Sequence, residues 1–284
     1  MKLKVLCIHG FGQTPEMFRA KSGSLRQALK KKCEFVFVQA PHMIRSDGDA
    51  AQISVDIQKV GSEDTPIVGV DNGLGFAWWT IEGRNRLSEN WDPLTPPVEG
   101  QRIVGLEDSL RLIDFKFRTE GPFHGCFAFS QGASFLSILA AIAERNRQLI
   151  NPRVDNRSTT HRDNEKFSNR VPADIGLNIQ FKFGIFVSGF FPQEIAIREY
   201  IRHHMQATDD AIKTVHIYGT TDQVIPASMS IAYHDFLYSS YSRQATVLMA
   251  HEGGHFVPHE RSIKAAVVSA LHCFSPVDNV IVEG

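Results

Sequence analysis

Residues 251–255, His-Glu-Gly-Gly-His, carry the spacing of the H-E-x-x-H zinc-protease signature. In that signature two histidines four apart share one helical face and hold a metal, while the glutamate acts as base. Set in VLMAHEGGHFVPHE, the same residues also fit a glycine-rich loop that presents a histidine base to a serine nucleophile. The two chemistries need different backbones. Gly253 and Gly254 stand in the middle, each costing about 1 kcal/mol relative to alanine in a helix. Pro258 follows closely, and the preceding TVLM (246–249) favours a strand. The extended zinc pattern needs glycine at 258 and histidine at 261, where this chain has Pro258 and Arg261. The segment reads as a loop with His255 as the base, and no metal is expected.

A histidine base needs a nucleophile and a carboxylate. In GCFAFSQGAS (125–134), Ser130 stands between an apolar run and a helix beginning near Gly132, on a tight strand-to-helix turn that exposes Oγ. Ala128 occupies the position where the G-x-S-x-G pattern has glycine. The other reading is a serine that merely caps a helix. In VHIYGTTDQVIP (215–226), Asp222 follows a strand and Pro226 opens the next helix. An Asx-turn is the other use of such an aspartate, and Asp209, Asp210 and Asp235 are rival acids, none following a strand so directly. His251 and His259 rank below His255, which the adjacent glycines can bring close to a serine. The order Ser130, Asp222, His255 matches a nucleophile whose acid and base come later in the chain. Such a triad performs acyl transfer, with the imidazole taking the hydroxyl proton and the carboxylate fixing the tautomer. CIHGFGQTPEMF (7–18) follows the first strand. Its turn is expected to aim the Phe11 N–H, with Gly12 as second choice, at an oxyanion shared with the Gln131 N–H.

Something must hold these residues at one edge. Apolar runs recur at 3–8, 35–38, 125–129, 181–187, 214–218 and 246–249, with little alternation, as strands covered on both faces should be. Helical patterns lie between them. Residues 101–118 place Leu106, Leu110, Ile113 and Phe117 on one side. Thr14-Pro15 resembles an N-cap and first helical position, and 132–147 and 259–273 also read as helices. Alternating strands and helices predict an α/β fold with a doubly wound, mostly parallel sheet of about six strands flanked by helices. Both Asp222 and His255 lie just beyond a strand's carboxyl end, where open α/β sheets build their sites.

The whole chain, 1–284, reads as one domain. A net charge of −1 argues against a nucleic-acid partner. The N-terminal MKLKVLCIHG has too few apolar residues for a secretory signal, which needs roughly 7–15, and no run approaches the roughly 20 residues of a membrane span. Four cysteines without paired spacing suggest free thiols and a cytoplasmic location. Residues 145–172 form a polar segment read as a surface insertion, and 61–101 is a long irregular stretch read as a lid or cap. Within it Trp78 and Trp79 are expected to line an acyl groove.

The stretches HGFGQ (9–13), FRAKSGSLRQALK (18–30), APH (40–42), WW (78–79), GLEDSL (105–110), GPFHG…FSQGA (121–133), FVSGFFP (186–192), YGTTDQVIP (218–226) and GGHFVP (253–258) occur in an order that resembles the FSH family of serine hydrolases. Within that family the chain is most similar to the animal esterase branch. The likeness spans nearly the whole chain, although 145–172 has no evident counterpart and Ala128 departs from the usual glycine. The resemblance implies an α/β-hydrolase fold and no metal or organic cofactor. It implies hydrolysis of carboxylic esters, in the animal branch with medium-to-long straight alkyl chains, and in some fungal relatives thioesterase release of polyketide chains. Thioesterase or acyltransferase chemistry on the same triad is therefore the alternative, and a non-catalytic binding protein of the same fold a further one. The roles carried over are Ser130 as nucleophile with Asp222 and His255 as its relay.

Overall fold

A computed structural model describes residues 2–45, 74–82, 103–150, 176–192, 194–205, 211–240 and 246–274. The first half runs β1 (Leu3–Ile8), α1 (Pro15–Lys21), α2 (Gly23–Leu29), β2 (Cys33–Val38), β3 (His42–Arg45), β4 (Leu74–Ala77), β5 (Thr80–Ile81) and β6 (Ile103–Val104). Next come α3 (Leu106–Glu120), β7 (Gly125–Phe129), α4 (Gln131–Ile150) and β8 (Phe183–Val187). The last part holds α5 (Ile195–His204), β9 (Lys213–Gly219), α6 (Ala227–Ser240), β10 (Thr246–His251) and α7 (Arg261–Phe274).

Six strands form one sheet in the order β10-β9-β8-β7-β1-β2, and every neighbouring pair in it is parallel. These are the six apolar runs of the sequence. Their lack of alternation has a direct cause. On β1, Val5 and Cys7 enter the apolar layer shared with Phe18, Leu25, Leu29, Ile263, Val267 and Leu271 of α1, α2 and α7. Leu6 and Ile8 enter the opposite layer with residues of α3, α4, α5 and α6. The inner strands β1, β7, β8 and β9 are covered on both faces, so both of their side-chain sets are largely apolar, while the edge strands β2 and β10 are only partly buried. The periodic residues Leu106, Leu110, Ile113 and Phe117 of α3 are all buried in that second layer. Thr14 caps α1 by accepting the Met17 N–H at 3.3 Å, with Pro15 opening the helix.

Helices α2 and α5 have no counterpart in the sequence reading. Two antiparallel pairs, β3 with β4 and β5 with β6, bring two short strands, β4 and β5, into the stretch 61–101 read as irregular. The remainder of the lid or cap reading at 61–101, and the insertion from 151 onward, lie outside the described residues; 145–150 continue α4. Among the described residues no helix is long and apolar enough to cross a membrane. Cys7, Cys33 and Cys126 are buried free thiols, and burial pushes all three above their ordinary range.

Three histidines are packed as neutral rings. His216 lies flat on Phe186 at 4.7 Å with Tyr233 against its edge. Burial lowers His216 and His204 from an ordinary 6.5 to about 3, and His9 to about 4. The unfolded chain takes up these protons near 6.5, whereas the folded chain refuses them until far lower pH. Unfolding free energy is therefore expected to fall as pH drops from about 6.5 toward 4. Urea unfolding across that range checks this, with His216→Phe expected to flatten the slope; a pH-independent midpoint would contradict it.

Candidate active site

Strand β7 ends at Phe129 and α4 begins at Gln131, leaving Ser130 alone to make the turn. Its φ of 55° is in the left-handed region, a conformation costing of order 1 kcal/mol or more for a non-glycine residue. The turn holds because the Ser130 N–H donates to the Val187 carbonyl of β8 at 2.9 Å and the Ser130 carbonyl accepts from Ser134 at 3.0 Å. Gly132 has to be glycine: a β-carbon there would lie 2.4 Å from the His9 oxygen and 2.5 Å from the Ile8 oxygen. Ala128 needs no such exemption. It pairs with Ile8 and Phe186 inside the sheet, and its methyl is buried in the apolar layer.

His255 lies in the loop after β10, its ring 4.7 Å from that of Phe129. His255 Nε2 is 3.0 Å from Ser130 Oγ, and Nδ1 is 2.8 Å from Asp222 Oδ2. Residues 252–256 form bends and not a helix, so the zinc spacing is not realised; both ring nitrogens of His255 face Ser130 and Asp222. His251 points inward and accepts the Gly253 N–H at 3.2 Å, shaping the loop. His259 stacks on Phe256. Gly219, at the end of β9, lets this loop approach, since a β-carbon there would sit 2.3 Å from the Gly253 oxygen. Backbone bonds from Thr220 to His251 (2.8 Å) and Thr221 to Gly253 (3.3 Å) tie the acid and histidine loops together.

Asp222 is 6% exposed, and every side of its carboxylate has a donor. Oδ1 accepts the N–H groups of Val224 (2.9 Å) and Ile225 (2.8 Å). Oδ2 accepts Ser188 Oγ–H at 3.0 Å and His255 Nδ1–H. Burial pushes the carboxyl up, but the hydrogen bond and charge of His255, the Ile225 amide and the Ser188 hydroxyl outweigh it, leaving Asp222 below its ordinary 3.8. Among its rivals, Asp235 pairs with His234 at the surface, and Asp209 and Asp210 lie outside the described residues. Ser188 lies within the FVSGFFP stretch, but nothing in its residue type or spacing assigns it a role at the site.

The loop after β1 is held open by the 74–79 segment. The Gly12 N–H donates to the Phe76 carbonyl at 2.9 Å and Phe76 N–H to Gln13 at 3.2 Å. The Gly12 N–H is thus committed to the Phe76 carbonyl, which argues against Gly12 as the oxyanion donor. Gln131 offers its backbone N–H as the first amide of α4, a position without an intrahelical acceptor. Its side chain spans the gap, accepting from Trp78 N–H and donating to the Trp79 carbonyl, each at 3.0 Å. His9 donates from Nδ1 to the Gly10 carbonyl (2.7 Å) and accepts the Ala40 N–H on Nε2 (3.0 Å), which sets its tautomer.

The acyl-groove expectation is corrected for Trp78. Its indole has no exposed surface, stacks on Phe135 at 4.9 Å and donates from Nε1 to the His9 carbonyl at 2.8 Å. A large ring with one polar handle is being used to pin the loop from behind. Trp79 is 9% exposed, with its ring against the edge of Phe135.

A hydroxyl, imidazole and charged carboxylate in hydrogen-bonded series can activate the hydroxyl as a nucleophile, its proton passing to the imidazole. Gly132→Ala is expected to destabilise the protein by about 1–3 kcal/mol through overpacking against the His9 and Ile8 carbonyls. A urea midpoint equal to wild type would contradict the close approach.

Comparison with known proteins agrees with this architecture. The zebrafish (Danio rerio) esterase OVCA2 is 29% identical over 259 residues, covering 90% of each chain. The Drosophila pseudoobscura pseudoobscura esterase GA18864 is also 29% identical over 259 residues, 90% of this chain but 66% of that protein, so this chain spans slightly under two thirds of that relative's length. Among solved structures, Zea mays acyl-protein thioesterase 2 superposes with a TM-score of 0.54 over 95% of this chain and 94% of that one, at 13% identity. The fold is that of the α/β-hydrolases. Residues 1–267 match the family described as Serine hydrolase (FSH1), and the chain belongs to that family.

Proposed function

We propose that the protein is a serine esterase working through an acyl-enzyme. The observation that carries this is the unbroken series Ser130 Oγ, His255 Nε2 at 3.0 Å, and His255 Nδ1 to Asp222 Oδ2 at 2.8 Å. Ser130 Oγ attacks the carboxylic-ester carbonyl as its proton passes to His255 Nε2. The carbonyl oxygen becomes an oxyanion facing the Phe11 and Gln131 N–H groups, an interaction worth several kcal/mol in the transition state. His255 then protonates the departing alkoxide, leaving the acyl group on Ser130. Water enters, gives its proton to His255, and the acid is released with Ser130 restored. Asp222 remains ionised throughout, because its four donors favour the charged form.

The substrate class proposed is a carboxylic ester of medium-to-long chain, following the family resemblance. A thioester is the second class, since an acyl-enzyme can form from either and the fold is shared with Zea mays acyl-protein thioesterase 2. Neither requires a cofactor in this scheme.

Kinetics on oxyesters of graded chain length, with matched thioesters, test the proposal. Wild type is expected to turn over at least one series, and Ser130→Ala to lower kcat by about a thousandfold or more with KM little changed. Equal rates for wild type and the variant would overturn it.

A further inference from the structure

Beyond the three residues of the proposed relay, we infer that Ser188 is a positioning residue that holds Asp222 through its hydroxyl. The inference rests on the esterase reading. Strand β8 lies between β7, which carries Ser130, and β9, which leads to Asp222. The first residue past β8 therefore stands between nucleophile and acid. That residue is Ser188, fully buried.

Its backbone joins the two sides. The carbonyl of Val187 accepts the Ser130 N–H at 2.9 Å, while the N–H of Ser188 donates to the Ile217 carbonyl at 2.8 Å. One peptide unit thus links the serine turn to the acid strand. Its side chain adds a second link, Oγ–H to Asp222 Oδ2 at 3.0 Å. Without it, Oδ2 would keep His255 as its sole donor, and the carboxylate could rock about the two amides on Oδ1.

The backbone conformation says what the side chain is for. Ser188 has φ of 49°, and among the described residues only Ser130 shares a positive φ without being glycine. Glycine adopts this region without a steric penalty, and Gly189 follows immediately. A serine at 188 accepts strain that glycine would avoid, and what it gains is the hydroxyl on Asp222. Buried polar groups at strained positions cluster at functional sites for this reason.

Two substitutions separate hydroxyl from backbone. Ser188→Ala removes Oγ and keeps the strained conformation; Ser188→Gly removes Oγ and relieves it. Both are expected to lower kcat on the ester about tenfold or more, as loss of a charge-assisted hydrogen bond would, with KM within about twofold. Both are also expected to weaken or move the low-field proton resonance of the His255–Asp222 hydrogen bond. Ser188→Gly is expected to be at least as stable as Ser188→Ala. If Ser188 mattered only as a turn, the glycine variant would keep wild-type kcat and an unmoved resonance, and the inference would be overturned. Wild type active, Ser130→Ala inactive and both Ser188 variants at wild-type kcat would sink this inference alone. Wild type without turnover would sink the esterase reading, and this inference with it.

Discussion

A ladder of backbone hydrogen bonds continues past the ends of the strands, and the candidate site depends on it. Ser130 N–H reaches the last carbonyl of β8, Ser188 N–H reaches Ile217 of β9, and Thr220 N–H reaches His251 of β10. Each loop leaves its strand by bonding to the next strand over. In a parallel sheet all these exits fall on one edge, so residues 92 and 33 apart in the chain, Ser130 to Asp222 and Asp222 to His255, are delivered to one place. Side-chain contacts at 2.8 and 3.0 Å are the result of this backbone arrangement.

Close approach of backbones is the second requirement. Gly132 lies against the β1 exit, and Gly219 lies against the histidine loop; neither has room for a β-carbon. Gly75 meets Gly12 in the same manner, where the 74–79 segment braces the loop carrying Phe11. That brace is completed by polar atoms of Trp78 and Gln131 and by the neutral ring of His9. Strain at Ser130 and Ser188 is sustained because these contacts leave the chain no relaxed alternative.

Much of this is legible in sequence, for physical reasons. Strands covered on both faces must be apolar throughout, so the six runs stand out. Ser130, Asp222 and His255 each belong to a residue type with few uses directly after a buried strand, and glycines mark the tight exits. Ser188 is invisible at that level, because its importance follows from β8 lying between β7 and β9, a matter of strand order. Trp78 misleads for the opposite reason. An aromatic pair in an irregular stretch suggests a surface groove, and only packing on Phe135 reveals a buried brace. The zinc-like spacing at 251–255 is resolved by backbone shape, since His251 ends β10 with its side chain buried while the bends at 252–256 carry His255 to Ser130.

The central claim is that Ser130 is the activated nucleophile of this constellation. Reaction with a fluorophosphonate, followed by a crystal structure and peptide mass analysis of the product, tests it most directly. One phosphonyl group per chain is expected on Ser130 Oγ, its oxygen facing the amides of Phe11 and Gln131. A chain that takes up no phosphonyl group, or carries it on another residue with Ser130 unmodified, would contradict it.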